Sequence, residues 1–519
     1  MHSCLMGRNI FMASFKRIIK KTEVIVLAFL FAFRIVYFFC FDYSIFADSY
    51  EYIARDGFAW LHGSVDRYRL PVYPMLIDIC KFISEAHFTF ILCAIQLLVS
   101  LLSIVVLFWT LKKITDKKWI CLLVTFLYGV ANSTSGWDKT LLTESLSISL
   151  TVFIVFGIVS YIKDKKYRYV ILTAICLFIG CFLRAVFAIY TGLFFGFLIL
   201  ITIFPSENKE RAVIAKLRKT NLKSALIAFV PIIFVLAYAF TFNSLYGGFT
   251  LSDSGLGQQL YVVLDTEYYK DASDSEIKEI ADAILTPPTK CSLNDSVNEF
   301  TDAFYKDTAV SEEDIQQIKE QLLSLIDDTM DETIEKRLEE YIFEEYHHDY
   351  DCSFTSREYL ARLYIMENFD RDRIAEFVQE AKADNFLAYI IRVPLKLFYS
   401  YASYNTLNKT TLSSLITQTV DYTLFFLKFT MLHSVIIALI EVIAFFVTLI
   451  KKKKTEWIRL GLGVYLFATI FLSIFGTNTD FARTAITAVP FMFVAIAIYI
   501  ENIHNYLIKR NTQALKDDK

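Results

Sequence analysis

Long apolar stretches recur along most of this chain. They run at 23–41, 88–111, 119–135, 142–162, 169–204, 224–243, 424–450, 456–476 and 483–501. A helix of roughly 17 to 25 apolar residues crosses the hydrocarbon core of a bilayer, so each stretch is a candidate span. The stretch 169–204 is too long for one crossing, and we expect it to form a tight hairpin that turns near Arg184. The pattern predicts an all-α, polytopic bundle of about ten transmembrane helices.

Basic residues cluster between these stretches and set the predicted orientation. Cytoplasmic loops of membrane proteins carry an excess of lysine and arginine. Assigning all six clusters to the cytoplasm requires ten crossings and leaves both termini cytoplasmic. The first apolar stretch lacks a small-residue cleavage site after Cys40, so we expect an anchor helix rather than a cleaved signal. The clusters are Lys16–Lys21, Lys112–Lys118, Lys163–Arg168, Lys209–Lys223, Lys451–Lys454 and Lys509–Lys519.

The composition supports a multi-pass membrane protein. Hydrophobic residues make up 55% of the 519 positions and the mean hydropathy is +0.44, above the roughly 45–50% apolar content of ordinary soluble chains. Glycine is scarce, with 16 residues, which excludes collagen-like and glycine-rich phosphate-binding chains. The sequence contains no GxxxxGK[ST], GxSxG, HExxH or GxGxxG motif, so the common soluble-enzyme signatures are missing.

Negative charge is concentrated in one segment that we expect on the outer side of the membrane. Residues 245–385 hold 34 of the 55 acidic residues and 12 of the 52 basic ones. Helical spacing of apolar residues within 274–385 predicts a small acidic helical domain, and 386–402 reads as an amphipathic helix in the outer interface. We therefore divide the chain into 1–243, 244–423 and 424–519. The dispersed positive charge elsewhere does not form a nucleic-acid platform.

Cysteines and clustered acids give no clear metal site. The nine cysteines include no CxxC pair, which argues against a zinc or redox motif. Cys291 and Cys352 could form a disulfide outside the cytoplasm or remain free thiols. A group of acids and histidines at 344–351 could bind a divalent cation, although a solvated surface is the preferred interpretation. We predict no metal and no cofactor.

Candidate chemistry lies in the first outer loop, at residues 42–87. Asp42 and Asp48 follow the first apolar stretch, and an acid close to lipid can hold a raised pKa and take a proton from a hydroxyl. The alternative is structural, because Asp48 suits a helix N-cap. Both interpretations stay open on spacing alone.

Two further charges are expected on the same side of the membrane. Glu144 begins the fourth predicted helix, where it is either a second active-site acid or a residue that favours the positive end of the helix dipole. Arg184 lies at the tip of the hairpin, and its anionic partner is either a structural carboxylate or a lipid phosphate. Glu441, within the eighth predicted span, is interpreted as packing against polar groups of a neighbouring helix.

Four short motifs occur in chain order on this predicted outer face. They are Asp48-x-x-x-Tyr52, Arg69-x-Pro-x-Tyr-Pro, Thr-Glu144-Ser-Leu and Leu-Arg184, with a weaker echo at Ile391–Pro394 and at Asp480–Arg483. In this order they resemble the GT-C membrane glycosyltransferases. Within that superfamily the chain is similar to the bacterial relatives of protein O-mannosyltransferases and aminoarabinose transferases. The resemblance covers about residues 20–250 and implies a bacterial plasma-membrane enzyme.

The resemblance implies roles for individual residues. Asp48 would be the catalytic base, with Glu144 as the second active-site acid. The donor phosphate would be held by an arginine, and further substrate contacts would come from residues in or near the motifs. Many relatives have two adjacent acids where this chain has Asp48 and Ser49, and Lys-Pro-Pro where it has Arg-Leu-Pro. The implied binding residues are Asp42, Tyr52, Arg67, Arg69, Arg184 and Arg483.

The implied activity is transfer of a sugar from a polyprenyl-phosphate donor to an acceptor hydroxyl, with inversion at the anomeric carbon. The expected partners are that donor, membrane lipids and an extracytoplasmic glycan, lipid or protein acceptor. A lipid-linked polysaccharide polymerase or ligase is an alternative, although such enzymes rely on arginines of a large outer loop. A transporter for a lipid-linked sugar is another, and it would place charges near the midplane between repeats.

Overall fold

The computed structural model describes most of the chain. The described residues are 2–40, 43–45, 47–204, 211–285, 357–387, 434–452, 456–472 and 485–517. Several predicted features lie outside them: Asp42, Arg483, His433, both cysteines at 291 and 352, the acidic group at 344–351 and most of the interfacial segment 386–402. Within the described residues the fold is all-α, as predicted, with one isolated β-bridge between Ser44 and Thr140.

Helices occupy every one of the ten predicted spans. They are α1 His2–Cys40, α4 Phe88–Ile114, α5 Lys118–Val130, α7 Glu144–Asp164, α8 Tyr167–Cys181, α9 Val186–Ile203, α10 Arg211–Tyr246, α15 Ser434–Lys452, α16 Trp457–Leu472 and α17 Val489–Asp517. Among the described residues, six helices are long and apolar enough to cross a membrane alone. The protein is thus a multi-pass membrane protein. The predicted total of ten is reached only if α8, α15, α16 and the broken helix beginning with α5 also cross.

The fifth element differs from a simple span. The short helix α6, Asn132–Ser135, and a 3₁₀ turn at Gly136–Lys139 follow α5, and the chain bends by 64° between the two parts. The predicted continuous stretch 119–135 therefore ends early as a straight helix, at Val130. The bent part carries Asp138, which is buried.

The stretch 169–204 forms the expected hairpin. Helix α8 ends at Cys181 and α9 begins at Val186, and the amide of Arg184 donates to the carbonyl of Gly180 over 2.8 Å to close the turn. Gly180 packs closely against Phe187 on the returning helix. Apolar side chains line both helices of the hairpin. The one charged residue of the turn, Arg184, therefore lies between the helix ends.

Helix α7 lies at the centre of the bundle and packs on α4 and α8. Its buried residues include small and β-branched side chains such as Ser147, Val152 and Ile154. Small polar residues permit close helix approach where lipid gives no hydrophobic driving force. The outer end of this central helix is Glu144, so packing of the bundle fixes the place of that carboxylate.

Outside the bundle, short helices lie in two groups. The first outer loop contains α2, Ala47–Ala54, and α3, Val72–Ile83. The described part of the acidic segment contains α11 Ser254–Asp265, α12 Ser275–Leu285, α13 Arg357–Asn368 and α14 Arg371–Asp384. These four helices bury Leu260, Ile277, Tyr364 and Phe377.

In the C-terminal part, α15 and α16 pack side by side. Glu441 on α15 is fully buried and pairs with Arg459 on α16, with 3.2 Å between Nη1 and Oε2. The interpretation of Glu441 as a packing residue is confirmed, since its partner is a charge on the neighbouring helix.

Candidate active site

Two carboxylates of the first outer loop converge on one arginine. Asp48 and Glu51 are one turn apart on α2, and Nη2 of Arg69 lies 2.6 Å from Oδ1 of Asp48 and 2.6 Å from Oε2 of Glu51. The Arg69 side chain is 14% exposed and that of Asp48 is 30% exposed. Charge-assisted bonds of this length hold both carboxylates in place. Asp48 lies in the first turn of α2, as its second residue.

The position of Arg69 follows from a tight turn before it. One carboxylate oxygen of Asp66 accepts hydrogen bonds from the amides of Tyr68 and Arg69, at 2.8 and 2.6 Å. Aspartate commonly stabilises turns in this way. Pro71 then has φ −72° at the start of α3, which is pre-organised for a helix. The turn and the proline together point Arg69 back toward α2.

An aromatic pair lies beneath the arginine. The guanidinium of Arg69 sits 4.7 Å from the ring centre of Tyr52, and Tyr52 meets Tyr73 edge-on at 5.0 Å. Burial raises the pKa of the Tyr52 hydroxyl, so this phenol stays protonated. The charges of Arg69, Asp48, Glu144 and Arg184 also act on it. Tyr52 therefore lies within electrostatic range of both predicted acids, Asp48 and Glu144.

Glu144 and Arg184 form the second pair. Their Oε1 and Nη1 atoms are 3.2 Å apart, with Glu144 fully buried and Arg184 17% exposed. Thr143, the residue before α7, makes no side-chain capping bond in the described structure, and Ser145 donates to Asp138. The carboxylate that pairs with Arg184 in the structure is therefore Glu144.

Backbone contacts join the two pairs. The amide of Val72, three residues after Arg69, donates to the carbonyl of Phe182 in the hairpin turn over 3.0 Å. The hairpin tip and the first outer loop thus share one surface. The predicted common side of Asp48, Glu144 and Arg184 becomes an actual neighbourhood in the fold.

A buried ion pair that the sequence analysis missed lies next to Glu144 within the bundle. Arg34 of α1 and Asp138 pair at 2.7 Å, with side-chain exposures of 0% and 4%. The other carboxylate oxygen of Asp138 accepts a bond from Ser145, beside Glu144, at 2.8 Å. Arg34 also donates to Ser100 and to Thr134. The available signal was an arginine inside the first apolar stretch, because such residues are costly in membranes and need a partner.

The same bent segment anchors the beginning of the first outer loop. Ser44 exchanges backbone hydrogen bonds with Lys139 and Leu141, both at 3.1 Å. Gln96 of α4 donates to the carbonyl of Thr140 at 3.0 Å and accepts a bond from Tyr73 at 2.9 Å. The loop that carries Asp48 is therefore tied to the bundle at several points.

Arg67 pairs with a carboxylate of the outer segment, Asp253. Its Nε donates to Oδ2 of Asp253 over 3.0 Å, and Nε of Arg371 on α14 donates to Oδ1 over 2.6 Å. Asp253 is fully buried between them. Burial alone would lower the pKa of Arg67, but the bond to Asp253 raises it. Arg67 thus joins the loop to the outer helices rather than to the pair of Asp48 and Arg69.

Two predicted site residues lie outside the part of the chain that the structure describes. Asp42 and Arg483 fall outside the described residues, as does the acidic group considered for a cation. Among the residues that the structure describes, no group of three or more histidine, cysteine, aspartate or glutamate side chains could hold a metal ion. The described site contains two arginine–carboxylate pairs, Asp48 with Arg69 and Glu144 with Arg184, and the first pair is partly open to solvent.

Comparisons with known proteins give a distant similarity of fold. No family model matches, and no curated protein matches. One similar solved structure is the archaeal oligosaccharyltransferase AglB from Archaeoglobus fulgidus in complex with an inhibitory peptide and a dolichol-phosphate, with 12% identity, a TM-score of 0.42 and 95% of this chain covered. Another is the Archaeoglobus fulgidus oligosaccharyltransferase in the apo form, with 12% identity, a TM-score of 0.43 and 94% covered.

This chain spans about half the length of those two proteins, 52% in each case. The two matches concern the arrangement of helices alone.

Proposed function

We propose that this protein is a membrane glycosyltransferase that moves a sugar from a polyprenyl-phosphate donor to an acceptor hydroxyl on the extracytoplasmic face. The observation that carries the proposal is the partly exposed carboxylate of Asp48, held by Arg69 at 2.6 Å, in the neighbourhood of the Glu144–Arg184 pair. A base and a phosphate-binding cation side by side are what such a transfer requires.

Asp48 is the proposed general base. A neighbouring arginine favours the ionised form of a carboxylate, so Asp48 starts the reaction able to accept a proton. As the acceptor oxygen bonds to the anomeric carbon, the hydroxyl proton passes to Asp48. The bond between that carbon and the phosphate oxygen breaks at the same time. Polyprenyl phosphate leaves, and the sugar is inverted.

Arg184 is the proposed contact for the donor phosphate. A guanidinium matches phosphate geometry well, and Arg184 keeps 17% of its side chain exposed while Glu144 holds it at 3.2 Å. Glu144 is then a positioning acid, because its own side chain is fully buried. Arg69, tied to two carboxylates, serves chiefly to orient Asp48. Glu51 shares that orienting role.

The alternatives fit the described residues less well. A transporter would be expected to line a path near the midplane with ionisable groups. Of the charged pairs within the described part of the bundle, Arg34 with Asp138 is closed to solvent on both sides, and Glu441 with Arg459 has a fully buried carboxylate. A polymerase or ligase would place its key arginines in the large outer segment, whereas Arg69 and Arg184 belong to the first half of the chain.

The decisive experiment is the Asp48→Asn variant, assayed for transfer from a labelled polyprenyl-phosphate sugar in detergent. Asparagine keeps the shape of the side chain and much of its capping ability, but it cannot take the proton. General-base catalysis contributes roughly 10² to 10⁴ in rate, so turnover should fall at least about a hundredfold.

The matched control is Asp56→Asn in the same loop. Asp56 accepts a bond from the amide of Phe58 at 2.8 Å, a contact that asparagine can keep, so its turnover should stay near wild type. Near wild-type turnover in Asp48→Asn would contradict the proposed base. Donor binding in both variants, measured by retention of the labelled lipid, separates loss of chemistry from loss of the site.

A further inference from the structure

A second site is formed where the first outer loop meets the outer helices. A cleft of about 400 Å³ opens between the loop, the end of α10 and the helices α12, α13 and α14. Its volume falls within the range of roughly 300 to 1,000 Å³ typical of small-molecule sites. Its lining includes Arg67, Asn368 and Arg371. None of these residues belongs to the pairs formed by Asp48 and by Glu144.

The cleft walls are held rigidly. Arg67 and Arg371 donate to the two oxygens of Asp253, which is fully buried. Gly248 permits this arrangement, because a Cβ atom there would lie 1.8 Å from Nη1 of Arg371. The amide of Asp253 also donates to the carbonyl of Arg67 at 2.9 Å. A site with preset side chains loses less entropy when a ligand binds.

The charges around the cleft disfavour an anionic ligand. Arg373 is committed to Asp274 at 2.5 Å and to Glu276 at 2.8 Å. Glu367 and Asp370 also line the cleft. A phosphate or carboxylate ligand would therefore meet further carboxylates, while each arginine already has a partner. Repulsion between like charges therefore disfavours the binding of an anionic ligand.

The remaining chemistry suits neutral hydroxyl groups. Guanidinium groups and the Asn368 amide offer donors, and carboxylates offer acceptors. Phe369, with the Arg373 guanidinium 4.8 Å from its ring centre, adds an apolar surface to the lining. A hydroxyl both donates and accepts, so a compound with several adjacent hydroxyls can use donors and acceptors together.

We propose that this cleft binds a neutral saccharide that takes part in the transfer reaction. The assignment of a role to that saccharide rests on the proposed function, whereas its binding does not. Arg67 is two residues from Arg69, which holds Asp48, so a sugar in the cleft would contact the loop that carries the chemistry. The saccharide belongs either to the acceptor or to the donor lipid.

The test uses the full-length protein in lipid nanodiscs with Asn368→Trp, which places an indole at an exposed residue of the cleft wall. Gln379→Trp is the control, since Gln379 is exposed on α14 and does not line the cleft. The probes are arrayed neutral oligosaccharides of hexoses and N-acetylhexosamines, beside oligosaccharides bearing uronic acids or phosphates. Neutral probes should bind the wild type and Gln379→Trp equally, and Asn368→Trp at least tenfold more weakly.

Three results would overturn the proposal: no neutral probe binds, the acidic probes bind more tightly, or Asn368→Trp binds as well as the control. Adding a polyprenyl-phosphate sugar assigns the saccharide. Displacement of the neutral probe places the donor's sugar in the cleft, and persistence of the probe places the acceptor there. Binding of the neutral probe needs no transfer, so intact binding by wild-type protein that shows no transfer activity would refute the proposed function and leave the cleft standing.

Discussion

Breaking the buried pair of Arg34 and Asp138 should destabilise the fold far more than breaking an exposed ion pair. Removing one partner of a buried ion pair typically costs about 3 to 5 kcal/mol, because the other charge remains in a low-dielectric site. Asp138 accepts from Arg34 at 2.7 Å and from Ser145 at 2.8 Å. Hydrogen bonds to charged groups contribute about 1.5 to 3 kcal/mol each. The loss of the two bonds that Asp138 accepts therefore agrees with the cost of breaking a buried ion pair. We expect Asp138→Asn to lower the free energy of unfolding by about 3 to 5 kcal/mol.

The double variant Arg34→Met, Asp138→Leu distinguishes the pair from its surroundings. Replacing both charges by apolar groups removes the uncompensated charge, so its cost should be well below the sum of the two single replacements. Lys113→Met is the control. Lys113 pairs with Asp164 at 2.8 Å but its side chain is 26% exposed, and exposed pairs contribute about 1 kcal/mol or less.

The assay is reversible unfolding in mixed micelles, followed by tryptophan fluorescence, with membrane insertion checked beforehand. A change within about 1 kcal/mol for Asp138→Asn, no larger than the expected surface-pair control, would refute the reasoning. So would a double variant whose loss equals the sum of the single losses, because independent sites add and a true pair does not.

Two further predictions concern the donor and the outer helices. Arg184→Ala should weaken binding of the labelled polyprenyl-phosphate sugar by about 1.5 to 3 kcal/mol, the contribution of one charge-assisted contact, while the protein stays in the membrane; loss from the membrane would make Arg184 structural. Burial lowers the pKa of Lys382, bonded to Gln259, from 10.5 to about 8. Unfolded chains therefore bind more protons between those values, so stability should rise with pH from about 8 to 10.5. Melting curves of Lys382→Met should lack that rise, and an equal rise in both proteins would contradict the assignment.

The spans were predictable because length and hydropathy are local properties of the sequence. The hairpin near Arg184 followed from arithmetic alone, since its apolar stretch is too long for one crossing and its lone charge must lie at an end. The bend after Val130 was not predictable in this way. The bent segment carries Asp138, which pairs with Arg34, 104 residues away in the chain. The apolar content of a stretch gives no information about such a distant partner.

Partner choice also limited the prediction of the site. Arg67 and Arg69 are two residues apart and looked equivalent, yet Arg69 reaches Asp48 within the loop and Arg67 reaches Asp253, 186 residues away. Glu51 could have been found, because it lies three residues after Asp48 and shares its helix face. Asp253 could not, since nothing near it in sequence marks it as buried.

The first outer loop connects two bodies that are each packed on their own. On one side Ser44 bonds to Lys139 and Leu141 in the bundle, and on the other Arg67 reaches Asp253 beneath the outer helices. Asp48 lies between these two attachments. A carboxylate fixed from both ends keeps a constant distance to its substrates, and displacement of about 1 Å can cost roughly a hundredfold in rate. On the proposed function, the outer helices contribute to transfer through geometry, because they hold the end of the loop that carries Arg67.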